Sequence, residues 1–268
     1  MEISKRLILF LLFVLSAMIV RAEMPDSTGI VRHTHLFGIG ATNILDTYLS
    51  PLEYTGGSFA TLHTTERRLP WRRGHWAITG IYGGDFSYAK SPTDDSKYLD
   101  GNANMAFALH NNWHVAPRLR LAAGPSAEIS AGFTYNTRNG NNPAQGRFAL
   151  LLAASGQAEY DFRVKRAVWT ARMQLDIPVI GMMFSPNYGQ SYYEIFSLGN
   201  YDHNICATTP FNAPSARLGA LLEIPVRKSR LTLGYQGNIR QSDVNHLKRH
   251  FWGHYFVIGW SRKLKIIK

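Results

Sequence analysis

The sequence predicts a closed antiparallel transmembrane β-barrel of about ten strands, or twelve if its longest loop adds a hairpin. Three observations predict it: a secretory leader, period-two alternation in segments too long for soluble strands, and connections that alternate short and long.

The leader comes first in the chain. Lys5 and Arg6 precede an apolar run from Leu7 to Val20, broken only by Ser16, and Val20-Arg21-Ala22 offers a cleavage site. About fourteen apolar residues fall short of the roughly twenty that a spanning helix needs, so this is a signal peptide rather than an anchor. Residues 1–22 are therefore expected to be removed, leaving 23–268 as a single barrel domain. No cysteine stands near the site to carry a lipid. The sole cysteine, Cys206, can form no internal disulfide, and no metal-ligand spacing accompanies it, so no metal and no cofactor are expected. The formal charge is +11, and +9 once Lys5, Arg6, Arg21 and Glu2 are set aside. In an exported protein this points to outer-membrane lipids and lipopolysaccharide phosphates rather than to nucleic acid. No later apolar run is long enough for a helix to span, so a membrane location requires a closed barrel.

From Gly74 onward, apolar residues alternate with polar or small ones, which gives each strand one apolar face. Trp76, Ile78, Tyr82, Phe86 and Tyr88 oppose His75, Thr79, Asp85 and Ser87. Met105, Phe107, Leu109, Trp113 and Val115 oppose Asn104, His110, Asn112 and His114. Leu119, Leu121, Ile129, Phe133 and Tyr135 oppose Arg120, Ser126, Glu128 and Thr134. Phe148, Leu150, Leu152, Tyr160 and Phe162 oppose Arg147, Ser155, Gln157, Glu159, Asp161 and Arg163. Trp169, Met173, Leu175, Ile177 and Val179 oppose Thr170, Arg172, Gln174 and Asp176. Runs at Leu218 to Val226 and Leu231 to Ile239 repeat the rule, with Arg217, Glu223 and Arg240 on the polar side. A soluble sandwich also alternates. Segments of about fifteen residues exceed its usual five or six, and aromatics at the strand ends mark membrane interfaces. Weaker strands are expected around Arg32 to Ala41 and Gly57 to Arg67, and a last one around Arg249 to Ser261.

Short links fall at Pro70 to Arg73, Ala116-Pro117, Val164 to Arg166 and Arg227 to Ser229. Long ones fall at Ala89 to Gly101, Asn136 to Gly146 and Gly181 to Ala213. Outer-membrane barrels place such short turns in the periplasm and long loops outside. Both termini are then periplasmic, as are the basic turn residues Arg72, Arg73, Lys165, Arg166, Arg227, Lys228 and Arg230.

The loop Phe184-Ser185-Pro186-Asn187-Tyr188-Gly189-Gln190-Ser191-Tyr192-Tyr193-Glu194-Ile195-Phe196 and the stretch Gly38 to Gly57 resemble a Bacteroidota-type family of outer-membrane barrels whose domain has no assigned function. The resemblance implies insertion by the barrel-assembly machinery and carries no catalytic signature. The chain departs from common barrels in ending on Lys268 rather than on an aromatic residue.

The candidate site residues fall into two groups. The lumen face gathers His110, His114, Arg120, Glu159, Asp161, Arg163, Arg172 and Glu223 towards the periplasm, and Asp85, Glu128, Asp176, Arg217 and Arg240 towards the outer rim. Buried charges must be paired and the signs are mixed, so the expectation is a network filling a narrow lumen. The external loop offers Tyr188, Tyr192, Tyr193, Glu194 and Phe196, able to bind a glycan or protein partner or to plug the mouth. The reading that follows is a structural or surface-binding protein. A lipid-acting enzyme would need a nucleophile with a base among the lipid-facing groups His35, His63, Asn111 and His254. A rim protease would draw on Asp85, Glu128, Asp176 and His203, and a passive pore would need an open lumen. Gly38, Gly40, Gly56 and Gly57 form no phosphate loop, since no Lys-Ser/Thr follows them.

Overall fold

The computed structural model describes residues 30–70 and 75–265. The leader, its cleavage site and the turn residues Arg72 and Arg73 lie outside them. The described chain forms β1 (Ile30–Asp46), β2 (Ser50–Arg68), β3 (Trp76–Lys90), β4 (Lys97–Ala116), β5 (Leu119–Asn136), β6 (Ala144–Val164) and β7 (Ala167–Phe184). It continues with a short helix α1 (Tyr192–Phe196), then β8 (Ile205–Thr208), β9 (Ala216–Val226), β10 (Ser229–Val244) and β11 (Leu247–Lys265).

Ten of these strands close a ring. Each of β1 to β7 pairs antiparallel with the next, β7 continues to β9, β10 and β11 follow, and β11 returns to β1. The closing seam runs unbroken from Ile30↔Lys265 to Asp46↔Arg249, so it leaves no free edge. The eleventh strand, β8, lies beside the last residues of β7. Two ends follow from this topology. The turn end carries Ile30, Lys265 and the short links, and the loop end carries the long excursion between β7 and β9.

Alternation fixes what each face meets. Ile39, Phe107, Leu152, Met173 and Phe256 stand outward and exposed, while Thr79, Asp100, His110, Arg172 and Glu223 point inward and are buried. Trp76, Trp113, Trp169 and Trp260 all fall near the turn end of their strands. The lumen is less polar than the alternation suggests. Leu36, Leu62, Ile81, Tyr255 and Val257 form an apolar cluster inside it. Ile44, Leu49, Tyr54, Tyr98 and Phe251 form a second, in which Tyr54 and Tyr98 stack at 3.6 Å between centroids. Several of these residues come from β1 and β2, whose sequences alternate weakly because both faces are partly apolar.

The strands are longer, and the loops shorter, than expected. From 11 residues in β9 to 21 in β6, most exceed the roughly ten that a tilted span needs. The expected loop Ala89 to Gly101 contracts to 91–96, and Asn136 to Gly146 contracts to 137–143. At the same end β10 meets β11 through Asn245-His246, both with positive φ, the backbone of a tight two-residue hairpin. Only 185–215 is long, and Ser191 to Leu198 makes the helix α1 rather than a hairpin.

Close strand approach explains two glycines near the seam. A Cβ on Gly40 would lie 1.8 Å from the carbonyl oxygen of His254, and one on Gly259 equally close to that of His35. Gly40→Ala and Gly259→Ala are each expected to destabilise the barrel by about 1–3 kcal/mol through overpacking. Urea unfolding in detergent, followed by heat-modifiable gel mobility, checks this against Gly57→Ala, where a Cβ meets nothing within 4 Å.

Candidate functional site

At the turn end a layer of ion pairs crosses the lumen. Arg32 on β1 bonds Glu159 on β6 through both Nη atoms. These strands are five apart in a ring of ten, hence diametrically opposed. Arg120 donates to Glu66 at 3.0 Å and to Glu159 at 2.6 Å. Arg172 lies 3.6 Å from Glu159 and 3.8 Å from Glu223, and Arg230 closes on Glu223 at 3.1 Å. The side chains of Arg32, Glu66, Arg120, Glu159, Arg172 and Glu223 are between 1 and 9 % exposed.

Nearer the loop end, Arg240 grips Asp85 bidentately at 2.6 Å and lies 3.9 Å over the Phe251 ring. Arg217 joins Glu128 at 3.1 Å and Asp176 at 3.2 Å. Arg147 joins Asp100 at 2.8 Å, with Arg249 3.4 Å from the same carboxylate. Between the tiers, His110 Nε2 meets Ser155 Oγ at 2.8 Å, and Ser155 donates to Asp176 at 2.5 Å. Because the serine's one proton is given to Asp176, His110 must donate to the serine oxygen. It cannot serve as the serine's base in this arrangement.

The structure thus gathers Arg120, Glu159, Arg172 and Glu223 at one level, and Asp85, Glu128, Asp176, Arg217 and Arg240 at another. Asp161 and Arg163 stand apart, exposed at the turn-end rim where β6 leaves the lumen. His114 is only half-buried, and its Nδ1 meets no partner. The sequence reading missed Arg32 and Glu66, which lie in the weakly alternating β1 and β2, and Arg230, which stands beside a turn. It also missed Asp46, Asp100 and Arg249 at the loop end.

The tiers do not fill the lumen completely. A cavity of about 130 Å³ remains in the lumen. Its lining includes Glu128, Asp176, Arg217, Asn238 and Arg240, and it reaches Pro178, Ile180, Ala213 and Ile239 in the wall. The wall is interrupted there. β7 pairs with β9 over Thr170–Asp176 and with β8 over Gly181–Phe184, so Ile177 to Ile180 have no strand on that side. The intervening 209–215 turns to β10 instead, where Asp243 N donates to Asn212 O at 2.7 Å and Gln241 N to Ser215 Oγ at 3.2 Å.

The long excursion crosses the mouth. Tyr48 OH donates to Gln190 O at 3.0 Å, and Asn245 Nδ2 donates to Ser185 O and His203 O. Tyr192 turns inward, its hydroxyl receiving the Gly146 N–H at 2.6 Å and its ring stacking on Phe196. Tyr188, Tyr193 and Phe196 remain exposed. Glu194 accepts from the N–H and hydroxyl of Ser191 in a capping box that starts α1. Those bonds hold its carboxyl below the usual range.

On the outer wall His35 Nδ1 meets His63 Nδ1 at 2.6 Å, flanked by Tyr82 and Trp260. His33 meets Thr65 Oγ1 at 3.1 Å, and His254 meets Tyr235 OH at 2.6 Å. Among the described residues no carboxylate is bonded to any of these histidines to orient it as a base. The four rim-protease candidates do not converge either. Asp85, Glu128 and Asp176 are each held by an arginine, while His203 pairs with Asp202 at 2.6 Å in the exposed loop.

A closed, even-numbered antiparallel ring with an apolar exterior and a bridged lumen is a β-barrel of the outer-membrane class. Within that class, the chain belongs to the family described as "Protein of unknown function (DUF3316)", which matches residues 7–268. No curated protein matches the sequence. Among solved structures, outer membrane protease OmpT from Escherichia coli is similar over 90 % of this chain and 99 % of its own, with a TM-score of 0.50 and 6 % identity. The translocator domain of autotransporter NalP from Neisseria meningitidis covers 88 % of this chain and 89 % of its own, with a TM-score of 0.44 and 9 % identity. The COG4313 outer membrane channel from Pseudomonas putida F1 covers 91 % and 100 %, with a TM-score of 0.40 and 8 % identity. The likeness to the protease is one of fold.

Glu159→Gln leaves the buried Arg32 and Arg120 short of a carboxylate and is expected to cost about 3–5 kcal/mol. Arg163→Gln at the exposed rim should change stability by no more than about 0.5 kcal/mol. Denaturant midpoints in detergent distinguish the two. The α1 cap depends on an ionised Glu194 whose carboxyl is depressed in the folded state. Its contribution is therefore complete above the ordinary glutamate range and is lost as pH falls through the lowered value. Hydrogen exchange of the α1 amides should accelerate across that window, and Glu194→Gln should abolish the pH dependence.

Proposed function

We propose that this protein is an outer-membrane barrel that acts by binding and does not conduct along its axis. The observation that carries the proposal is the Arg32–Glu159 bridge between opposite walls, backed by Glu66, Arg120, Arg172 and Glu223. A lumen bridged by six buried charged groups offers no continuous water path. The fold suits an outer membrane, with the turn end in the periplasm, the loop end outside, and outer-membrane lipids and lipopolysaccharide around it. Tyr188, Tyr193 and Phe196 on the exposed excursion are then the surface for a glycan or protein partner. Among the described residues the outward histidines meet no carboxylate, and His203 pairs with Asp202 in the exposed excursion while Asp85, Glu128 and Asp176 are held by arginines, which favours binding over catalysis.

Purified mature protein reconstituted in planar bilayers should give no steady single-channel current, and its gel mobility should shift on boiling. Steady currents from the folded protein would overturn the closed-lumen reading.

A further inference from the structure

The outer wall at the β1–β11 seam stops being apolar before the turn end, and we propose that it seats the head of an anionic phospholipid of the periplasmic leaflet. The inference rests on the reading of an outer-membrane barrel whose turn end lies in the periplasm.

Outward side chains of such barrels are apolar in the bilayer and aromatic at its interfaces. In β3 to β7, β9 and β10 the three outward positions nearest the turn end hold no charged residue and no histidine. Examples are Leu119, Leu121 and Ala123 of β5 and Leu222, Ile224 and Val226 of β9. The seam strands differ. Outward there stand Arg262 on β11, His33 and His35 on β1, and His63, Thr65 and Arg67 on β2. Pairing sets Arg262 and Thr65 on either side of His33, and Trp260 and His63 on either side of His35. Arg67 lies one outward position nearer the turn end than Thr65, opposite Val31. Both arginines are exposed, and among the described residues neither meets a carboxylate. Exposed cations at the loop end do find acids. Lys90 meets Asp94 at 2.8 Å, Arg138 meets Asp95, and Lys248 meets Asp243 at 3.9 Å. At the seam the counter-charge comes from outside the chain.

The groups follow one another along the wall in the order of a phospholipid with its head towards the turn end. Arg67 and Arg262 come first, on strands about 10 Å apart with β1 between them. A phosphate held between them accepts charge-assisted bonds from both. The His35–His63 pair comes next, with its Nδ1 atoms 2.6 Å apart. One neutral ring donates there, so the accepting ring carries its own proton on Nε2. That N–H can donate to an ester carbonyl, the next polar group of a glycerolipid. Phe37, Ile39, Phe59 and Ile258 follow, all exposed, and take the acyl chains. A free phosphate uses only the first of these three levels. The head is net anionic because no acid of the patch answers an ammonium group.

Native mass spectrometry of the mature protein released from neutral detergent would compare phosphatidylglycerol, phosphatidylcholine with the same chains, and inorganic phosphate. Phosphatidylglycerol is expected to bind at least about tenfold more tightly than either of the others. Arg67→Gln combined with Arg262→Gln should remove that preference while the heat-modifiable mobility persists. Arg227→Gln combined with Lys228→Gln, at a turn tip, should leave it. Equal binding of the two lipids overturns the proposal, as does inorganic phosphate bound as tightly. A preference that survives the seam substitutions, or falls equally with those at the turn tip, means diffuse attraction and also overturns it. Should the seam variant fail to fold, phosphatidylglycerol with a diazirine near the ester end of one chain is crosslinked to the wild-type protein. Adducts concentrated on 31–39, 59–67 and 256–264 support the seam, and labelling spread evenly round the wall overturns it. A folded barrel without lipid preference removes this inference alone, whereas a soluble chain with no mobility shift on boiling removes the outer-membrane reading beneath it.

Discussion

Buried charge needs a partner, and in this barrel the partner comes from the opposite wall. Arg32 and Glu159 belong to strands on opposite sides of the ring, so satisfying them fixes the distance across the lumen as well as the charge balance. Glu66, Arg120, Arg172, Arg230 and Glu223 extend that condition to β2, β5, β7, β10 and β9. A shift of any one of these strands by one residue would turn its charged group into the surrounding apolar phase, where it has no counter-ion. The ion-pair layer therefore specifies register as much as it adds stability, and it makes the turn end the rigid base on which the other tiers stand.

Above that base the lumen divides by chemistry. The β11 to β4 side is packed with Leu36, Leu62, Ile81 and Tyr255 and, nearer the mouth, with Tyr54, Tyr98 and Phe251. The opposite side carries Glu128, Asp176 and Arg217, and the cavity runs from them to Leu62 and Gly84 of the packed side. Apolar packing is dense and leaves no room for a ligand. Long side chains that must satisfy both charge and hydrogen bonding cannot tile a space so closely. The cavity lies where pairing meets packing in the interior.

Much of this was legible from period two alone. The closed fold, the short turns and the inward faces of β3 to β7 followed from alternation, because each strand there has one uniformly apolar face. Asp161 and Arg163 continued the alternation correctly, yet they sit beyond the lumen, since alternation gives a face and not a height. Arg32 and Glu66 escaped notice for the converse reason: β1 and β2 bury apolar residues inside and expose them outside, which blurs the signal. The loop lengths were overestimated because strands that rise past the membrane keep their pairing in polar sequence. The two-residue link at Asn245-His246 shows that turn chemistry can set an external connection where no long loop is needed.

The break beside β7 was not legible, because it is a property of pairing between segments some forty residues apart. A trace of it does lie in the sequence. Pro178 falls in β7 near the level at which Pro210 and Pro214 interrupt the neighbouring slot, and proline cannot give an N–H to a ladder. Placed in a strand inside a bilayer, such residues cost hydrogen bonds unless the backbone has been freed from the ladder already. The break is therefore consistent at two levels, with the local residues unable to complete the ladder and the ladder incomplete where a cavity lies behind it. The β1–β11 seam is paired residue by residue, whereas beside β7 the break falls where proline has already taken N–H groups from the ladder.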